Sequence, residues 1–317
     1  CAASPGGFEH IPERGGFWEA TPEQRRALWD RLYDQPGFGI WLSNYKEIFF
    51  DEKANAEFSE YIAERIRGRV NDPAVAEKLI PKDHGFGWAR VPLETRYFEA
   101  YNRDNVRLVD ISETPIERVT ETGIRTTTED FDLDLIVYAT GFDAVTGAFD
   151  MLEVEGRNGV KLGEKWTPDP STWLGMMSHG FPNLFTPSGP QSSSASVNYP
   201  RSIEMCVNFV SQLMEQALAR GVERIEPTQA AEDAWVAHVR EMYDMLLLRK
   251  SRSWFTGYNS NIAGREIGKV RHIVYNGGAP KYQRILERTA AEGFRDLIFD
   301  GQAPEAETVS PAIPVKA

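Results

Sequence analysis

Leu133-Asp134-Leu135-Ile136-Val137-Tyr138 is an apolar run broken by one acid, and Ala139-Thr140-Gly141 closes it. In an extended chain both faces of this run are apolar, the pattern of a strand covered on both sides in a parallel sheet. That reading sets the expected fold class, α/β. Shorter β-type runs precede it at 106–109, 116–120 and 124–127, the last two separated by a turn at Gly123. Others follow at 183–186 and 270–275.

Helices flank these runs. Thr21-Pro22-Glu23-Gln24 combines a capping Thr, a Pro at the first helical position and a Gln at the third. Leu28, Trp29, Leu32 and Tyr33 follow at helical spacing. Trp41, Leu42, Tyr45, Ile48 and Phe49 make a second apolar stripe, and Phe58, Tyr61, Ile62 and Ile66 a third. Both read as core. Asp72-Pro73 opens a short helix that Pro81 stops, and 93–101 reads as another. Ile203, Val207, Val210, Leu213, Met214 and Leu218 form a stripe ended by Gly221. Trp235, Val239, Met242, Tyr243 and Leu246 form the next, and a last helix covers about 281–291. The segment after Gly301 is rich in Pro, Ala and Glu and reads as a disordered tail.

The 317 residues are 41% hydrophobic, with 8 Trp, 17 Phe and 11 Tyr, enough to bury a sizeable core. Lys and Arg total 35 against 47 Asp and Glu, a net charge of −12 with no basic cluster. That argues against nucleic-acid and anionic-membrane partners. No apolar run approaches a membrane span. Two cysteines, Cys1 and Cys206, make no disulfide framework, so a cytoplasmic location is expected. The chain opens on Cys1 rather than Met and reads as a fragment whose N-terminal part is absent.

Several motifs fail. The histidines at 10, 84, 179, 238 and 272 are scattered and no Cys-x-x-Cys occurs, so no metal site is expected. No Gly-x-Ser-x-Gly elbow supports a hydrolase. Neither a Walker loop nor a Gly-x-Gly-x-x-Gly fingerprint is present.

Six ordered stretches nevertheless carry a resemblance. They are Tyr97-Phe98-Glu99-Ala100-Tyr101-Asn102-Arg103-Asp104-Asn105-Val106, the run from Asp134 through Gly141 to Phe142-Asp143-Ala144, and Gly180-Phe181-Pro182-Asn183-Leu184-Phe185 with Ser202-Ile203-Glu204. Ser253-Trp254-Phe255-Thr256-Gly257 and Gly277-Gly278 complete the set. In order and spacing, from about residue 22 to 300, the chain resembles the C-terminal portion of flavin-dependent Baeyer–Villiger monooxygenases of the cyclohexanone/phenylacetone type. The resemblance implies a partial two-dinucleotide-binding-domain (Rossmann-like) flavoprotein with a helical subdomain. It implies residues 1–85 as that subdomain, 86–135 as the end of an NADP-binding domain and 136–317 as the end of an FAD-binding domain. It implies FAD and NADPH as cofactors, and a ketone and O2 as substrates. The parent enzyme would insert one oxygen beside the carbonyl through a C4a-peroxyflavin, giving an ester or lactone. Alternatives are an N- or S-oxygenating flavoprotein, or a non-catalytic remnant of the fold.

Residue by residue, the resemblance implies Arg90, in Phe86-Gly87-Trp88-Ala89-Arg90, as the active-site arginine. A guanidinium keeps its charge in a dry pocket and stabilises developing negative charge. Trp254 matches a tryptophan beside the nicotinamide cofactor, Tyr199 a flavin contact, and Gly141 a turn where a side chain would obstruct the cofactor. Ser194, Ala195 and Ser196 match a substrate-side loop. Ala89 stands where the family usually has a cation for the NADPH 2′-phosphate, so NADH is an alternative, unless Arg265 or a residue of the absent N-terminal part supplies the charge. Both pyrophosphate fingerprints would lie before Cys1. The missing N-terminal half is thus expected to be required for cofactor binding, and the fragment alone to be inactive.

Overall fold

The computed structural model describes residues 4, 6–167, 169–192, 197–263, 265 and 270–302. In chain order its elements begin with α1 (Pro22–Tyr33), α2 (Gly39–Leu42), α3 (Glu52–Arg67), α4 (Pro73–Leu79) and α5 (Tyr97–Ala100). Three strands follow, β1 (Ile116–Val119), β2 (Gly123–Thr126) and β3 (Asp130–Asp132). Then come α6 (Gly147–Asp150), α7 (Leu162–Lys165), α8 (Tyr199–Ala219), β4 (Ile225–Pro227), α9 (Gln229–Asp244), α10 (Ala279–Ala291) and β5 (Leu297–Phe299). The chain divides into two compact, interleaved units. The larger comprises Cys1–Glu52, Gly87–Val91 and Asp143–Ala317, the smaller Lys53–Phe86 and Pro92–Phe142.

In the larger unit, α1 forms where its capping box predicts. Thr21 accepts from the Gln24 N–H while the Gln24 side chain accepts from the Thr21 N–H. Its buried Arg25 caps Phe17 and Ala20 carbonyls and sits 4.5 Å above the Phe17 ring, which satisfies a charge the core could not otherwise hold. Trp29 donates to Asn44, tying α1 to the turn after α2. The main core lies among α8, α9 and α10, around Cys206, Leu213, Trp235, Tyr243, Tyr275 and Tyr282. One face of α8 is apolar at helical spacing, and Phe209, Val210 and Leu213 enter this core. β4 and β5 close one edge as an antiparallel pair, Ile225 opposite Phe299.

In the smaller unit, α3 and α4 pack Ala63, Ile66, Val70, Ala76 and Ile80 together, with Phe98 against them. Asp72 caps α4 by accepting from Ala74 and Val75, and Pro73 takes the first turn, as the sequence predicts. β1, β2 and β3 form an antiparallel sheet, with Ile124 opposite both Val119 and Phe131.

Several strand expectations are corrected. Residues 133–138 form no strand, and Leu135, Val137, Tyr138 and Phe142 are exposed at 72% or more. Among the described residues the backbone N–H groups of 134–142 find no hydrogen-bond partner, and without a pairing strand the β propensity of the run has nothing to act on. The runs at 106–109, 183–186 and 270–275 are likewise irregular, and every strand pair among the described residues is antiparallel, not parallel. The helix expected over 93–101 contracts to α5, because Arg96 sits at φ 57° and Glu94 caps the Tyr97 N–H. No helix among the described residues is long and apolar enough to cross a membrane. The expected tail after Gly301 lies almost wholly outside the described residues.

Candidate active site

Arg90 belongs to the short stretch Gly87–Val91 that joins the larger unit. Its guanidinium lies 5.5 Å from the Phe38 ring centroid. Phe38 meets Trp41 edge-on at 5.9 Å. Trp41 in turn lines a cavity of about 330 Å³, with Phe49, Gly87, Trp88, Leu248, Phe255 and Asn276. The arginine is thus linked through two edge-to-face aromatics to the wall of an apolar chamber. Gly87 makes that approach feasible. It sits at φ +75°, and a Cβ there would press on Phe49 and Trp41 at 3.3 Å.

Tyr199, the first residue of α8, shares this neighbourhood. It keeps 40% of its surface exposed, yet partial burial of the hydroxyl pushes it up, and the Arg90 charge pulls against that shift. Ala89 carries no charge beside Arg90. Trp254 opens a 3₁₀ turn with Phe255, their rings 4.2 Å apart, so Phe255 separates Trp254 from the rest of the cavity wall. The structure therefore brings Ala89, Arg90, Tyr199 and Trp254 into one unit. Gly141 is in the other unit, exposed, at φ +85° with open space where a Cβ would stand. Its backbone conformation favours glycine, and the strand it was expected to end is not formed. Ser194, Ala195 and Ser196 lie outside the described residues.

Arg265 is engaged elsewhere. It pairs with Asp143, lies 2.8 Å from Asp150 and donates to Thr146 at 3.1 Å. Two carboxylates neutralise it, so it does not supply the cation that Ala89 lacks. Behind it Arg271 donates to Thr146 and to the Trp166 carbonyl. This cluster staples the 143–150 segment to the loop before α10.

Sequence reasoning missed the cavity. Trp41 and Phe49 read as core, and they line its wall. Asn276 carried a signal: a lone amide directly after the apolar run 270–275 and directly before two glycines. No group of acidic, His or Cys side chains among the described residues could hold a metal.

No family model matches the chain. It is 41% identical over 287 residues to the 2-oxo-Δ3-4,5,5-trimethylcyclopentenylacetyl-CoA monooxygenase of Pseudomonas putida, covering 90% of this chain and 52% of that protein. It is 37% identical over 300 residues to a Baeyer–Villiger monooxygenase of Pseudooceanicola batsensis, covering 94% and 53%. The chain is a homologue of the Baeyer–Villiger monooxygenases. It spans about half the length of the curated relatives it matches. Its fold follows theirs: the OTEMO crystal structure, a complex with FAD and NADP, superposes with a TM-score of 0.86 at 39% identity over 92% of this chain and 53% of that one. The described architecture therefore matches about half of the fold of that structure.

Proposed function

We propose that the chain is the C-terminal part of a cytoplasmic Baeyer–Villiger monooxygenase. The whole enzyme would bind FAD and NADPH and convert a ketone and O2 into an ester or lactone. The second oxygen atom leaves as water, and NADPH and a proton supply the reducing equivalents. One observation carries the reading: the homology runs through nine-tenths of the chain at up to 41% identity. In this reading residues 1–85 are the helical subdomain, 86–135 complete the NADP-binding domain and 136–317 complete the FAD-binding domain.

The residues present fit the reacting ends of these cofactors. A permanent cation, Arg90, lies against the Phe38 ring, which meets Trp41 on the wall of an apolar cavity. The pyrophosphate fingerprints are not in the chain, so the remainder of the enzyme would hold those groups. When bound, FAD and NADPH supply oxygen activation and hydride.

The protein's own contribution starts with Arg90. Its guanidinium cannot lose its proton, and a charge held over an aromatic face is pre-oriented to stabilise negative charge on the reacting oxygens. Tyr199 stays protonated, because burial raises its hydroxyl, and offers a neutral donor next to Arg90. Trp254 would flank the nicotinamide, and Ser194, Ala195 and Ser196 would leave room for the ketone. With Ala89 uncharged and Arg265 neutralised, NADH is accepted as well as NADPH.

The test is oxygenation under 18O2. The parent enzyme, supplied with NADPH and a panel of linear, cyclic and aryl ketones, is expected to yield esters carrying one 18O. Flavin-bound enzyme that makes no ester, and instead oxygenates amines or sulfides, would overturn the proposal.

A further inference from the structure

We propose that the cavity beside Arg90 selects ketones carrying a second, neutral oxygen acceptor on their hydrocarbon body, which Trp88 Nε1 and Asn276 Nδ2 recognise. This rests on the ketone reading above and specifies the substrate class within it. Both nitrogens are fully buried, both line the same cavity, and neither has a hydrogen-bond partner among the described residues. A buried N–H left unpaired costs about 1–3 kcal/mol, and nearly all such groups in folded proteins are paired. Two in one chamber are therefore an unusual expense unless something enters to accept from them. The rest of the wall offers little help. Phe49, Leu248 and Phe255 present carbon, Asn44 is already bonded to Trp29 and the Ile40 carbonyl, and Lys46 is exposed.

The nearest hydroxyl is Tyr243, which already donates to the Phe255 carbonyl at 2.7 Å and accepts from the Val274 N–H at 3.0 Å. Burial raises that hydroxyl, and the Asn276 amide pulls against the shift. The donors are uncharged, which suits an ester, amide or second carbonyl. At about 330 Å³ the chamber is at the small end of ligand pockets and suits a compact molecule with an apolar body. Such a site discriminates well, because a ligand lacking the acceptor buries the donors unpaired.

Calorimetric titration of the purified parent enzyme and its variants with methyl levulinate and 2-octanone tests this. The two ketones have the same number of non-hydrogen atoms, and only the first has a second acceptor. Asn276→Leu and Trp88→Phe are each expected to weaken methyl levulinate about ten-fold and to change 2-octanone by less than about two-fold. Asn276→Leu should also melt no lower than the parent, since an orphan donor is replaced by an apolar group of similar size. Equal weakening of both ketones, as a merely structural role or a donor-bound water would give, overturns the inference, as does methyl levulinate binding that neither variant alters. Titration needs no turnover. Selective binding without ester formation would sink the oxygenase reading alone, and ester formation without this selectivity would sink the inference alone.

Discussion

The Lys165 ammonium lies 2.7 Å from the carboxylate of Glu232, which is fully buried at the start of α9. Glu232 also accepts from the Ser171 hydroxyl and the His179 N–H, each at 2.6 Å. Its neighbour Glu226, on β4, accepts from the Gly180 N–H and pairs with Arg157. Two buried carboxylates thus fasten the 171–181 loop to α9 and β4. Removing one partner of a buried pair leaves the other charge uncompensated, at roughly 3–5 kcal/mol. Glu232→Ala is expected to lower stability by about that amount, measured as a fall in denaturation midpoint, with Glu232→Gln milder.

Stability should also depend on pH through His238. It is buried on α9 against Trp235 and Tyr275, and burial first, then the Lys281 charge, lowers its pKa to about 4. The unfolded imidazole titrates near its ordinary value of about 6.5. The fold therefore favours the neutral form. That contribution is complete above pH ~6.5 and is lost as pH falls through ~4, a change on the order of 3 kcal/mol. In His238→Gln the melting temperature should vary much less between pH 4 and 6.5 than in the parent.

Asp169 acts in a more acidic window. Burial pushes its carboxyl up, but the His272 imidazole at 2.7 Å, the His272 N–H and Arg240 outweigh that and hold it below the usual range. A depressed carboxylate stabilises above its unfolded pKa and loses that contribution as pH falls through the folded value. Asp169→Asn is expected to be less stable at neutral pH and to show a shallower loss below about pH 4, read by thermal denaturation across acidic buffers.

The segment 133–142 should be locally open in the isolated chain. The N–H groups of 134–142 have no partner among the described residues, and Leu135, Val137, Tyr138 and Phe142 face solvent. Amides 134–142 are expected to exchange with deuterium within seconds, while those of α8 and α9 remain protected, as mass spectrometry of peptides would resolve.

This segment also shows where the sequence was legible and where it was not. Helices are written locally. The capping box at Thr21 and Gln24, the Asp72-Pro73 start and the stripes of α8 and α9 each contain what they need within one turn. The 133–138 run has the right composition for a strand, but a strand needs a partner, and partners are not encoded in the run itself. The β1–β2 hairpin succeeded because its partner is adjacent in sequence. The site divides the same way. Arg90 was recognisable from its Phe86-Gly87 context. The cavity was not, because Trp41, Trp88 and Asn276 come from three distant stretches, and only folding reveals that Trp41 faces a chamber rather than filled core.

The most direct test of the account is Arg90→Ala in the parent enzyme, with NADPH-driven flavin reduction followed separately from ester formation. The account predicts that flavin is still reduced, that O2 is still consumed, and that ester formation falls by about 10²-fold or more, the scale of losing one preorganised charge contact to a developing anion. Ester formation at the parent rate would contradict it.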